Sequence, residues 1–230
     1  MTQKSIPDIK MPEAAFHTFQ AFEEPLVDIA EFSDGKISAD MKYFEAKRNG
    51  AVNKAYVRKS VAEMLIRAQE LLPSGLSLKI YDAWRPFEVQ KDIYDEYYKK
   101  ISTAPENSDK STDELHALTR TFVSYPDREK KFSYVHSSGG AVDLTITDSE
   151  NNELDMGCGF DDFSVLAHTN ALENTDLIIQ RNNRRLLYNC MIKAGFTNYP
   201  FEWWHFDYRD LFWSTFTKDS NIYPSIYSIK

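Results

Sequence analysis

The stretch YVHSSGGAVDLTIT, residues Tyr134–Thr147, decides how the rest of this chain is interpreted. Its second half, AVDLTIT, has the pattern of a buried strand, but an ordinary strand would contain neither Gly139–Gly140 nor an aspartate in its apolar register. Because a regular strand would point His136 and Asp143 to opposite faces, the glycines predict a turn that folds the histidine back toward the aspartate. The alternative is an ordinary hairpin with a histidine on its surface.

A second stretch, EWWHFD, places another histidine beside acidic residues. Glu202 and His205 are three residues apart, so a regular strand would again separate them. A bend or bulge after Pro200 would place both on one side, where His205 could bind a metal ion and Glu202 could approach a water molecule on that ion. The alternative is a half-buried strand in which the histidine is simply hydrogen-bonded.

Two imidazoles and one carboxylate, from His136, Asp143 and His205, form a donor set that suits a catalytic zinc ion. Zinc lowers the pKa of a bound water to about 7, and a nearby carboxylate can accept the proton during attack. Glu202 is the candidate for this general base. The two stretches together predict one zinc per chain and hydrolysis of an amide bond.

Arg85, in YDAWRP, is the third candidate element of this site. It closes a predicted strand and is followed by a proline, so its guanidinium is expected to be held rigidly. Such a donor can stabilise the oxyanion of a tetrahedral intermediate. The alternative is a structural arginine that pairs with an acid such as Asp82.

The composition favours a packed globular protein and argues against two classes of partner. Hydrophobic residues make up 42% of the 230 residues and aromatic residues 14%, which is ample for a core. A net charge of −8 gives no attraction to nucleic acid or anionic lipid. The N-terminal residues lack an apolar leader, and no apolar run spans a membrane, which predicts a cytoplasmic location with reduced cysteines.

The elements predict one domain over residues 1–230, of α+β class, with a mainly antiparallel central sheet and helices packed around it. The zinc site is expected in a small cavity. Residues 1–35 are predicted to form an irregular N-terminal arm. The polar segment 102–131 is predicted to be a loop or lid insertion that contains a short helix near residues 113–122.

Apolar periodicity predicts three longer helices. One is expected to begin at a capping box formed by Ser60 and Glu63. It is followed by the strand LSLKIY and by a second helix that begins at Phe87. The third helix covers NNRRLLYNCMIKAGF and is expected to end at Gly195.

Several segments together resemble the zinc-dependent D-alanyl-D-alanine dipeptidases, the VanX-like enzymes. HSSGGAVDLTIT, EWWHF, YDAWRP and LDMGCGFDDF match motifs of that family in the family's order, between residues 40 and 208. The resemblance implies an α+β fold with a small buried cavity. It implies that the zinc ligands are His136, Asp143 and His205, that the base is Glu202, and that the transition-state arginine is Arg85.

The resemblance also implies substrate contacts. Asp155 falls where the family has an acid near the amino group of the dipeptide, and Tyr43 lies in a stretch that carries a substrate-facing aromatic residue. Tyr134 stands where the family usually has a serine, and the segment between Lys99 and Phe132 is longer than expected. Both departures affect the entrance of the predicted cavity and the substrate contacts more than the predicted type of reaction.

Three functions compete at this point. The first is a hydrolase of the D-Ala-D-Ala dipeptide or a similar short D-peptide, related to the peptidoglycan of the cell wall. The second is a D,D- or L,D-carboxypeptidase that trims longer cell-wall peptides. The third is a non-catalytic zinc-binding module, against which Glu202 and Arg85 argue because binding alone requires neither.

Overall fold

The computed structural model of the protein describes residues 4–13, 18–162 and 164–229. Within these residues, seven α-helices pack around a five-stranded sheet, so the predicted α+β class is confirmed. The helices are α1 (Ile29–Phe32), α2 (Lys42–Glu45), α3 (Lys59–Glu70), α4 (Phe87–Ser102), α5 (Thr112–Arg120), α6 (Ile178–Ala194) and α7 (Leu211–Thr217).

Short 3₁₀ helices cover Pro105–Asn107, Val135–Ser138 and Val165–Ala167. The strands are β1 (Gln20–Ala21), β2 (Leu26–Asp28), β3 (Ser38–Ala39), β4 (Tyr56–Arg58), β5 (Ser77–Asp82), β6 (Ala141–Thr147), β7 (Thr197–Asn198), β8 (His205–Asp207) and β9 (Asn221–Ile222).

The central sheet has the strand order β3-β5-β6-β8-β7. Only the β3–β5 pair is parallel, and the other three pairs are antiparallel, as predicted. All seven residues of β6 are buried, because this strand has a neighbour on each side and is covered on both faces. A strand in this position can carry a buried aspartate only if that side chain has partners.

The predicted helices are present, but α6 begins at Ile178, four residues before the predicted start at Asn182, and the start of α3 also differs. Gly195 ends α6 with a φ of 112°, as expected of a glycine in a left-handed cap. The predicted capping box at the start of α3 is wrong. The backbone N–H and hydroxyl of Ser60 donate instead to the carboxylate of Glu24, from the N-terminal segment. This contact is distant in sequence, so no local pattern predicts it.

The N-terminal segment is less irregular than predicted. Residues 20–32 contain β1, β2 and α1, and the two strands are held by pairing with β9 and β4. Residues 1–3 and 14–17 of the predicted arm lie outside the described residues. In segment 102–131 the predicted short helix is confirmed as α5.

A buried arginine joins the two ends of the chain to the glycine turn. Arg58 donates from Nε to the carbonyl of Ser138 at 2.7 Å, and its guanidinium also donates to the carbonyls of Glu24 and Pro224. Its backbone N–H donates to the carbonyl of Gly139 at 2.9 Å. The turn before β6 is therefore held from outside as well as by its own sequence.

In the part of the chain that the structure describes, no helix is long and apolar enough to cross a membrane. The predicted cytoplasmic location stays a prediction.

The glycine turn gives the first testable prediction. A Cβ added at Gly140 would lie 2.3 Å from the carbonyl oxygen of Tyr208, so one of the two backbones must shift. We expect Gly140→Ala to lower the free energy of unfolding by about 1–3 kcal/mol, in the range of overpacked sites. For a chain of this length that is a fall in Tm of roughly 2–12 °C, measurable by scanning calorimetry.

Gly159→Ala is the matched control, because a Cβ at Gly159 meets no atom within 4 Å. Equal melting temperatures for the two variants would show that the close approach at residue 140 is not a constraint.

Candidate active site

A cavity of about 290 Å³ lies beside β6 and β8. This volume is just below the range for small-molecule sites, roughly 300–1,000 Å³, so the cavity suits a small ligand. The predicted zinc ligands, catalytic residues and two of the three predicted substrate contacts line it: Tyr43, Arg85, Tyr134, His136, Asp143, Glu202 and His205.

The predicted metal ligands converge on one point. The β6–β8 register places Asp143 directly opposite His205, and Asp143 Oδ1 is 2.9 Å from His205 Nδ1. The turn through Gly139, with a φ of 72°, brings His136 Nε2 to 3.4 Å from Asp143 Oδ2. One ligand atom from each of these three buried residues lies within 4.8 Å of the others. The predicted turn is therefore confirmed, and a surface histidine is excluded.

Outer hydrogen bonds orient both imidazoles toward the cluster. His136 Nδ1 is 2.8 Å from the carbonyl of Ala83, which assigns the ring proton to Nδ1 and leaves Nε2 as a ligand. His205 Nε2 is 2.7 Å from Asp207 Oδ1, which leaves Nδ1 as a ligand. The donor set is thus one nitrogen from each imidazole and one carboxylate on one side of a cavity, which fits a zinc ion with an open position.

The charges of the cluster also favour a cation. Burial opposes ionisation of Asp143, but His136 and His205 outweigh it and lower the pKa of this carboxyl. Burial disfavours a charged His205, yet Asp207 and Asp143 raise the pKa of this imidazole well above its usual range. In the absence of metal, His205 therefore holds a proton between two acids. Metal binding has to displace that proton, so the affinity for metal falls as the pH falls.

Behind His205 lies a pair of acids that sequence reasoning missed. Burial and the neighbouring Asp207 raise the pKa of Asp210 well above its usual range, which favours its protonated form. One carboxylate oxygen of each acid is buried without a hydrogen-bond partner among the described residues. Asp210 also caps α7 by accepting from the N–H of Trp213 at 3.0 Å. Of the two acids, Asp207 is the one that orients His205.

The predicted bend after Pro200 brings Glu202 to the cluster. The N–H of Glu202 donates to the carbonyl of Tyr199, and Glu202 Oε2 lies 3.9 Å from His205 Nδ1. A quarter of the Glu202 side chain is exposed, and it faces the cavity. Burial raises the pKa of Glu202 to about 8. A dication nearby would lower that pKa, so this carboxylate can both accept and release a proton near neutral pH.

Arg85 has the contacts expected for both roles that the sequence allowed: it pairs with an acid, and it presents a donor to the candidate metal site. Its Nε donates to Asp82 at 2.8 Å and its Nη1 to Gln90 Oε1 at 2.8 Å. Its Nη2 lies 3.5 Å from Asp143 Oδ2, and its guanidinium sits 4.8 Å from the centre of the Tyr43 ring. Two of its three nitrogens are thus held by protein groups, and the third faces the cluster.

The two predicted tyrosine contacts line the cavity with their hydroxyls already paired. Tyr43 donates to Asp161 Oδ2 at 2.9 Å. Tyr134 donates to the carbonyl of Arg85 at 2.8 Å, so its hydroxyl supports the arginine. Tyr134 therefore helps to hold the backbone of Arg85 in place.

The structure does not bring Asp155 to the cavity. Its exposed carboxylate accepts from the N–H of Gly157 at 2.9 Å and from Gln180 Nε2 at 2.7 Å, so it stabilises its own loop. Asp161 lines the cavity instead, and its backbone has a φ of 58°, a conformation that aspartate tolerates better than most residues.

Asp161 belongs to the same quoted segment, LDMGCGFDDF, in which sequence reasoning chose Asp155. Nothing in the spacing distinguishes the two acids. Burial raises the pKa of Asp161 to about 6, and the negative charge of Asp143 acts in the same direction. A buried carboxylate with a raised pKa gains from a cationic ligand, so Asp161 marks a place for one.

Comparison with known proteins gives consistent matches. The family profile described as D-ala-D-ala dipeptidase matches residues 36–221. A D-alanyl-D-alanine dipeptidase from Escherichia coli is 34% identical over 134 residues, which are 58% of this chain and 56% of that relative. One from Enterococcus faecium is 32% identical over 162 residues, covering 69% and 76%. The structure of VanYB in complex with D-alanine-D-alanine matches at a TM-score of 0.42 and 16% identity, over 69% of this chain and 74% of that chain.

A buried histidine pair with a carboxylate, beside a glutamate and an arginine in a small cavity, defines the site of a metal-dependent hydrolase. The family profile covers most of the chain. The chain belongs to the D-ala-D-ala dipeptidase family of peptidases, and its predicted class, a metallopeptidase of that family, is confirmed.

Metal content tests the cluster. His136→Ala and His205→Ala should each lower metal affinity by more than the roughly 10–100-fold that loss of an outer hydrogen-bond partner costs, because each removes a ligand. The measurement is mass-spectrometric metal analysis after dialysis. His168→Ala is the control, since this histidine packs against Phe201 and is not part of the cluster. Full retention of metal in both ligand variants would refute the assignment.

Proposed function

We propose that this protein hydrolyses the D-Ala-D-Ala dipeptide or a similar short D-dipeptide, with one zinc ion held by His136, Asp143 and His205. The observation that supports this most strongly is the placement of Glu202 and Arg85 on the wall of one small cavity with those three residues. A binding module needs neither side chain there. Family membership supports the peptidase reaction, and the cavity volume supports a short substrate.

Bound zinc would supply positive charge and a water molecule of lowered pKa. Glu202 is the group that accepts a proton from the attacking water, at Oε2 beside His205 Nδ1. The same oxygen can then deliver the proton to the leaving amine. Burial raises the pKa of Glu202 to about 8 before any cation is bound, which supports this role because the carboxylate holds a proton readily.

Arg85 is the donor for the oxygen of the scissile carbonyl. Asp82 and Gln90 fix the guanidinium plane, so Nη2 needs no reorganisation when negative charge develops. Tyr134 holds the backbone of the same residue. Preorganised donors of this kind are worth roughly 2.7–4 kcal/mol of transition-state stabilisation in favourable cases.

Asp161, supported by Tyr43, is our candidate for binding the free ammonium of the dipeptide. The proposal replaces Asp155, whose carboxylate lies outside the cavity. An ammonium beside Asp161 forms a charge-assisted hydrogen bond, whereas a blocked amine leaves this carboxylate buried without a cation. This requirement would restrict the enzyme to short peptides with a free amino terminus.

The chain is proposed to act as one domain, in which the 102–131 segment covers part of the cavity. Residues 120–124 of that segment line the cavity wall. The nitrogen of Gln90 donates to the carbonyl of Ser124 at 2.8 Å, which connects the segment to the partner of Arg85.

Turnover by Glu202→Ala tests the reaction. We expect a fall in kcat of at least roughly 10²–10⁴-fold, the usual contribution of a general base, with the metal retained because Glu202 is not a ligand. Release of D-alanine and metal content are measured on the same sample. The exposed Glu129→Ala serves as the control. Turnover near that of the unmodified protein would exclude Glu202 as the base.

Substrate selection tests Asp161. The unmodified protein should cleave D-Ala-D-Ala much faster than its N-acetyl derivative, and Asp161→Asn should narrow this preference, whereas Asp155→Asn should not. The preference should also fall as the pH drops below about 6, because Asp161 is ionised above its raised pKa and neutral below it. Taking the ratio of the two substrates cancels any loss of metal in acid. Equal rates on the dipeptide and on a pentapeptide would favour the carboxypeptidase alternative.

A further inference from the structure

The segment 102–131 contributes a charged side chain to the cavity that the proposed reaction does not use. Arg120 is the last residue of α5 and lines the cavity together with residues 121–124. It is exposed. Because Arg120 is exposed and also lines the cavity, its side chain is accessible to a ligand bound there.

Among the described residues, no carboxylate forms an ion pair with Arg120. Its contacts are aromatic and neutral. The guanidinium lies 5.6 Å from the centre of the Tyr125 ring and interacts with the hydroxyl of Tyr94. By contrast, Arg128 of the same segment is paired with Glu88 and does not line the cavity.

The other arginine that lines the cavity, Arg85, already has protein partners. Arg85 uses Nε and Nη1 on Asp82 and Gln90, and its remaining nitrogen faces Asp143. The acids Asp143, Asp161 and Glu202 also line the cavity. A substrate carboxylate inside this lining would meet like charges, so it requires a cation of its own.

We propose that Arg120 binds the free C-terminal carboxylate of the substrate. This inference rests on the proposed function, because the substrate of that reaction has an ammonium at one end and a carboxylate at the other. In this arrangement, Asp161 binds the ammonium of the substrate and Arg120 binds its carboxylate. An arginine presents two parallel N–H donors to a carboxylate, which favours a free acid over a neutral amide.

The test compares D-Ala-D-Ala with D-alanyl-D-alaninamide, which lacks only the terminal negative charge. Values of kcat/KM for both are measured on the zinc-loaded protein, on Arg120→Gln and on Arg128→Gln. We expect Arg120→Gln to lower the ratio of acid to amide by roughly 10–100-fold, the effect of losing a hydrogen bond to a charged group. Arg128→Gln should leave the ratio unchanged.

Binding separates this inference from the proposed reaction. The affinities for the acid and the amide are measured by calorimetry in Glu202→Gln, with and without Arg120→Gln. If the unmodified protein cleaves neither substrate but Arg120→Gln removes a preference for binding the acid, the reaction is refuted and the carboxylate site stands. If cleavage occurs and Arg120→Gln lowers acid and amide equally, or changes neither, the carboxylate site is overturned.

Discussion

The pairing of Asp143 with His205 across β6 and β8 is the interaction on which the rest of the site depends. Their side-chain atoms meet at 2.9 Å because the two residues are directly opposite in an antiparallel register. A slip of one residue would send one of them to the other face of the sheet. Once this pair is in place, the glycine turn before β6 brings His136 to the cluster. The bend before β8 then brings Glu202 beside it.

Without a bound ligand, the buried polar groups of the cluster lower the stability of the fold, and neighbouring residues hold them in place. Asp143 and His205 are buried polar groups. A buried polar group that lacks a hydrogen-bond partner lowers the free energy of unfolding. Outer partners such as Asp207 and the carbonyl of Ala83 orient the two imidazoles of the cluster. Arg58 braces the turn from the opposite side through backbone carbonyls. Stability and metal affinity are therefore expected to be linked, because a cation bound to the folded state stabilises it.

The sequence predicted those features that depend on local breaks in a regular pattern. The turn at Gly139–Gly140 and the bend near Pro200 could be predicted because a histidine and an acid would otherwise point to opposite faces. The choice between Asp155 and Asp161 could not be made, since it depends on which way a loop packs against distant helices. The bonding of Ser60 to the N-terminal segment was missed for the same reason. The role of a residue whose partners are distant in sequence can be determined only from the structure.

The most direct test of this account is an anomalous difference map at the zinc absorption edge from crystals of the zinc-loaded protein. The account predicts one strong peak per chain, bounded by His136 Nε2, His205 Nδ1 and a carboxylate oxygen of Asp143, at ligand distances of about 2.0–2.2 Å. A peak coordinated by other residues, or no peak between these three in a protein with the same fold, would contradict it.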